Sequence, residues 1–129
     1  MAKALNNLVL DSALNYIKDN SLTITFTETE PADLLQSSIA AATPLIIKGS
    51  LTSGDFTGPV DGDVSGRKVT VDAFPGLSVE SGVSAQAVTY AVLDDGTNIL
   101  AKTTVTSQVV NTGETWDSPT FDIEIEDPT

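Results

Sequence analysis

Carboxylates and hydroxyls are the side chains through which this chain could do chemistry, because it contains neither His nor Cys. That absence removes the imidazole general base, imidazole and thiolate metal ligands, the Cys nucleophile and any disulfide framework. Ser and Thr abound, but a hydroxyl needs a base to activate it, and Lys3, Lys18, Lys48, Lys68 and Lys102 are scattered along the chain. Paired carboxylates of the glycosidase kind stay open in principle. Among 18 Asp and Glu residues, however, some pair falls close by chance. No enzyme activity and no cofactor are expected from this inventory.

Binding through hard oxygen ligands is the chemistry that is left. Asp55, Asp61 and Asp63 stand in a glycine-rich stretch and are the candidate calcium ligands. The stretch lacks the later glutamate of an EF-hand, and Asx turns account for the same residues. Asp94-Asp95-Gly96 reads as a hairpin turn between apolar runs. Asp122, Glu124 and Glu126 alternate with Phe121, Ile123 and Ile125, which puts the acids on one face of a terminal strand. Such a face guards a sheet edge against aggregation or meets a basic patch on a partner. Trp116, the single Trp, sits in the polar segment 113–119. It is either a lid over the end of the core or an interface anchor, since Trp is enriched at binding hot spots. A sugar platform would call for more than one aromatic.

The elements that must position these groups are mostly strands. Residues 2–19 form the exception, an amphipathic helix whose apolar stripe is Leu5, Leu8, Val9, Ala13, Tyr16 and Ile17. Leu10 and Leu14 widen its apolar face beyond what one buried surface requires. The helix is therefore buried on two sides or touches another chain. Residues 22–27 alternate large apolar groups with Thr, the pattern of a half-buried strand. Residues 32–42 read as one or two helical turns or as a loop over the core. Further strands are expected at 45–51, 68–72, 77–79, 83–93, 98–106 and 121–126, with another starting at 109–110. Residues 49–66 are expected to be the longest loop. Seven or eight short strands between Gly, Pro, Asp and Ser clusters predict an antiparallel β-sandwich or small barrel, with the helix capping one end or lying on one sheet. No linker or repeat divides the chain, so one domain covers residues 1–129, with the β region at 22–127.

A length of 129 residues is enough to bury an ordinary core without staples. Because 40% of the residues are apolar but only 5% aromatic, that core must be built mainly of Val, Ile, Leu and Ala. A net charge of −12 repels nucleic acid and anionic membrane surfaces and keeps the protein soluble. No run approaches the roughly 20 apolar residues of a membrane span. Polar interruptions at Asn6, Asn7, Asp11, Asn15, Lys18 and Asp19 make the start of the chain neither a secretory signal nor a transit peptide. The expected compartment is the cytosol, or wherever a complex carries the protein.

Three segments carry a resemblance: residues 7–17, residues 51–71 and Trp116 with residues 121–128. In these the chain resembles small acidic proteins of tailed bacteriophages that are encoded among the virion structural genes. It departs from them after the first strand, where Thr27-Glu28-Thr29-Glu30 stands in place of a frequent Cys or additional aromatic. The similarity is one of pattern and includes no catalytic motif. It implies a capsid decoration (cement) protein, made in the host cytoplasm and carried on the capsid surface of the virion. The major capsid protein would be its partner and a homotrimer its expected state. Leu10, Leu14 and Trp116 are the expected interface residues. A neck, tail or head-fibre component is the first alternative; a calcium- or carbohydrate-binding β-sandwich is the second.

Overall fold

The computed structural model describes residues 4–128. Its one α-helix, α1, spans Asn7–Asn20. Asn6 sets the start, because its side-chain oxygen accepts the Leu8 N–H at 2.8 Å and satisfies a donor that the first turn leaves free. Ser21 sets the end, its N–H and hydroxyl both donating to the Ile17 carbonyl. The helix is thus shorter than the expected 2–19. Residues 4–6 are extended or irregular, and residues 2 and 3 lie outside the described residues.

Nine strands follow: β1 (Thr23–Thr27), β2 (Pro44–Lys48), β3 (Phe56–Asp61), β4 (Arg67–Val71), β5 (Leu77–Ser78), β6 (Gln86–Asp94), β7 (Ile99–Val110), β8 (Thr115–Trp116) and β9 (Phe121–Ile125). All pairings are antiparallel, in sheets ordered β2-β1-β6-β7, β3-β4-β9 and β5-β8. The protein is mainly β, with one N-terminal helix and a sandwich-like arrangement of antiparallel sheets. One apolar cluster draws on every layer: Leu14 from α1, Phe26 from β1, Val69 and Val71 from β4, Leu93 from β6 and Trp116 from β8.

Several expectations are corrected. Residues 49–66 are not one loop. They hold a short 3₁₀ turn (Ser53–Asp55) and the whole of β3. Gly58 and Pro59 hid this strand. It is tolerated because β3 lies at a sheet edge, and its register with β4 slips between Thr57 and Val60. The segment expected as two strands, 98–106 and 109–110, is the single strand β7. The two-residue β8 went unforeseen. Residues 32–42, by contrast, do hold the helical turns expected of them, two 3₁₀ turns at Gln36–Ser38 and Ala40–Ala42. They lie over the outer face of the main sheet, where Ile39 packs on Val92 and Ile99. That cover is why β1 is buried on both faces rather than half-buried, as its Thr alternation implied.

The rotation of α1 is also corrected. Leu14 is fully buried and Leu10 is 2% exposed, whereas Leu8 is 75% exposed and Val9 and Tyr16 are exposed too. Both stripes recur at three- and four-residue steps, so periodicity could not choose between them. Polar partners agree with the observed rotation. Asp11 meets Arg67 of β4, and Lys18 donates to the Gly58 carbonyl of β3 at 2.9 Å. With these contacts made, Leu10, Leu14 and Ile17 face inward.

Candidate functional site

The three candidate calcium ligands have separate partners. Asp55 accepts the Thr52 N–H at 2.8 Å and closes the capping box of its 3₁₀ turn. Asp61 pairs with Arg67 at 2.8 Å, and Asp63 pairs with Lys68 at 2.7 Å. Among the described residues, no group of three or more acidic side chains is arranged to hold a metal ion.

The acidic face of β9 is likewise engaged. Asp122 accepts the Thr70 hydroxyl at 2.6 Å and Lys68 at 3.2 Å. Those contacts hold its carboxyl below the usual range, the Thr70 bond contributing most and burial opposing it. Glu124 accepts the Asp63 N–H at 2.7 Å and pins the β3–β4 turn to β9. At the base of that turn a side chain on Gly66 would collide with the Ile125 carbonyl, and φ there is +68°. Glycine is required on both counts.

Ser65 and Lys68 stand at Ser-x-x-Lys spacing, an arrangement not expected of lysines scattered along the chain. No activated nucleophile results. The Lys68 ammonium is held by Asp63 and Asp122, whose hydrogen bonds raise its pKa, the opposite of what a general base needs. Ser65 Oγ accepts the Asp127 N–H at 3.1 Å.

The expected interface residues are core. Leu10 and Leu14 face inward from α1. Trp116 is 3% exposed, packs edge-on against Phe26 with ring centroids 4.7 Å apart, and donates its indole N–H to Gln108 at 3.0 Å. Trp116 is the lid, not the anchor. What α1 presents outward instead is Leu8, Val9 and Tyr16, an apolar face that shares the helix with the buried one, with exposed Leu5 in the segment just before it.

Among the depressions formed by the described residues are two of similar size. One, of about 300 Å³, opens at the seam between β7 and β9, with Leu93, Ala101, Phe121 and Ile123 beneath a rim of Lys102, Asp122 and Glu124. The other, of about 260 Å³, lies on the outer face of the main sheet under the 3₁₀ turns, and its lining includes Thr23, Thr25, Gln36, Ile39, Ile47 and Asp94. Asp94 is 3% exposed, and its pKa is raised chiefly by that burial. Its neighbour Asp95 accepts the Thr97 and Asn98 N–H groups, and those bonds lower its pKa. The Asp94-Asp95 pair makes the β6–β7 turn that its spelling implied. Nothing in the sequence singled out Asp94 from Asp95, because the turn explains both.

The chain matches no protein-family model, no curated protein and no solved structure. No helix among the described residues is long and apolar enough to cross a membrane.

Proposed function

We propose that this protein is a non-enzymatic virion structural module, a capsid decoration protein that docks on the major capsid protein as a homotrimer. The observation that carries the reading is the outward face of α1. Leu8, Val9 and Tyr16 stand exposed on a helix whose opposite face is locked into the core, and Leu5 stands exposed just before it. An apolar patch on a rigid element in a strongly acidic protein suits a role in which charge keeps free copies apart and one surface binds. The resemblance to small acidic phage proteins supplies the partner.

The test is quantitative mass spectrometry of gradient-purified particles of the phage that carries the gene, counting copies of this chain per major capsid subunit. A copy number comparable with that of the capsid subunit supports decoration. A handful per particle moves the protein to the neck, tail or a head fibre. Absence from particles overturns the virion reading. Leu8→Asp with Val9→Asp should abolish particle binding while the protein stays folded.

A further inference from the structure

Five polar residues are buried among those described: Ser21, Thr25, Thr27, Asp94 and Ser118. Three of them are accounted for by backbone partners. Ser21 donates to the Ile17 carbonyl, Thr27 donates to the Thr29 carbonyl, and the Ser118 hydroxyl accepts the Phe74 N–H. The other two are not. The Thr25 hydroxyl has no hydrogen-bond partner among the described residues. Asp94 uses Oδ1 to accept the Gly96 N–H at 2.9 Å and leaves Oδ2 without a donor. Buried polar groups are ordinarily paired, and these two atoms depart from that only because solvent reaches them, which leaves both free to accept a donor entering from outside.

Both line the same 260 Å³ cleft. No side-chain polar atom that is fully sealed from solvent lacks a partner, so the Thr25 hydroxyl and Asp94 Oδ2 are reached from this cleft. The strand register explains the convergence. Thr23 faces Asp94 directly and Thr25 faces Val92, which makes Thr25 and Asp94 diagonal neighbours on one sheet face. Such neighbours stand about 7–8 Å apart at the backbone, a span that one donor group between their side chains bridges.

We infer that this cleft binds an aliphatic ammonium group, with Asp94 Oδ2 and the Thr25 hydroxyl as acceptors and Ile39, Ile47 and Pro44 against the stem. The chemistry of the cleft narrows the choice. Its one carboxylate, in a chain of net charge −12, rejects anions. Calcium needs about six to eight oxygen ligands, usually with several carboxylates, and this cleft offers a single carboxylate beside the Thr23, Thr25 and Ser37 hydroxyls and the Gln36 amide. Guanidinium prefers to engage both carboxylate oxygens side by side, and here the Gly96 N–H competes for one of them. An ammonium, a compact charge with three donors on a flexible stem, fits a single carboxylate oxygen flanked by hydroxyls. The volume lies below the roughly 300–1,000 Å³ of drug-sized pockets, which suits a short alkylamine or one Lys side chain.

The test is an amide-resolved NMR titration of the full chain at neutral pH and low salt with n-butylammonium, and in parallel with Nα-acetyl-lysine methylamide. Saturable shifts at Thr25, Gln36, Asp94 and Gly96 are expected at millimolar ligand. Binding of both probes identifies the ammonium of a protein Lys as the natural ligand chemistry, whereas binding of butylammonium alone identifies a free amine. Asp94→Asn, which keeps an acceptor for Gly96, should weaken binding by about tenfold or more, the loss of one charge-assisted hydrogen bond. Thr25→Val, which keeps the β-branched shape, should weaken it less. The inference is overturned by the absence of saturable shifts, by equal binding of n-butanol, or by undiminished binding in a folded Asp94→Asn protein. The proposed docking face of α1 takes no part in this experiment, so either proposal can fail alone.

Discussion

Arg67 Nε donates to Asp11 Oδ1 at 2.7 Å, joining β4 to α1 across 56 positions of sequence. The same guanidinium reaches Asp61 at 2.8 Å and the Pro59 carbonyl at 3.2 Å. One side chain thus holds the helix, the edge strand β3 and the central strand β4 together. The contact with Asp11 is compatible only with the α1 face that buries Leu10 and Leu14.

Arg67→Met should therefore loosen the helix more than the sheet. Its melting temperature should fall, and hydrogen exchange should accelerate first in α1 and β3. Asp11→Asn should do the same to a smaller degree, and the two changes should not add, because both remove the same contact. Additive effects in a double-mutant cycle would show that the pair is not coupled.

The two faces of α1 should respond oppositely to substitution. Leu14→Ala should cost about 2–5 kcal/mol, the usual range for a fully buried Leu, and Leu10→Asp should prevent folding by burying a charge. Leu8→Asp should stay within about 0.5 kcal/mol of the parent, as surface changes do. Denaturant unfolding of the three variants measures this contrast, and a destabilised Leu8→Asp would mean that the helix rotation is wrong.

Trp116 should report a sealed environment. Its emission should be blue-shifted and resist acrylamide until the protein unfolds. Trp116→Phe removes the bond to Gln108 and should cost about 1 kcal/mol for that hydrogen bond, beyond any packing loss. Trp116→Ala should cost about 3–5 kcal/mol. Strong quenching in the folded protein would return Trp116 to the surface.

Asp122 and Asp94 should pull stability in opposite directions as pH falls. The Asp122 carboxyl is held down by Thr70 and Lys68. The stability it contributes is present above the ordinary carboxylate value of 3.8 and is lost as pH falls through its lowered folded value. The Asp94 carboxyl is raised by burial, so its ionised form opposes folding at neutral pH. That opposition fades as pH drops from the raised value towards 3.8. Asp94→Asn should accordingly melt above the parent at pH 7, with the gap closing in acid. Thermal melts across pH 3–7 test both signs, and a destabilised Asp94→Asn at pH 7 would show that the carboxylate has a favourable partner.

Millimolar calcium should leave the melting temperature unchanged, because a ligand stabilises only through binding to the folded state. Asp55, Asp61 and Asp63 are each committed to a different partner. A calcium-dependent rise would mean that these pairs open to form a site.

Sequence alone determined the strands and turns whose signals are local. The alternation at 121–126 places β9 within a residue, the Thr alternation at 22–27 places β1 equally well, and Asp-Gly marks the β6–β7 turn. Side-chain direction alternates along any strand, and turn chemistry acts over two or three residues, so neither needs the rest of the molecule. Three things depended on tertiary structure. The rotation of α1 depended on the core that Leu14 joins and on the contacts to Arg67 and the Gly58 carbonyl, partners 40 or more positions away, because both helix stripes are apolar. The strand identity of residues 56–61 turned on pairing with β4, which outweighs a Gly-Pro step at a sheet edge. The distinction between Asp94 and Asp95, equivalent as turn residues, turned on the 3₁₀ segment that folds over β1 and β6 and takes one carboxylate out of water while leaving its neighbour in it. Burial belongs to the whole fold, and no residue carries it in its own spelling.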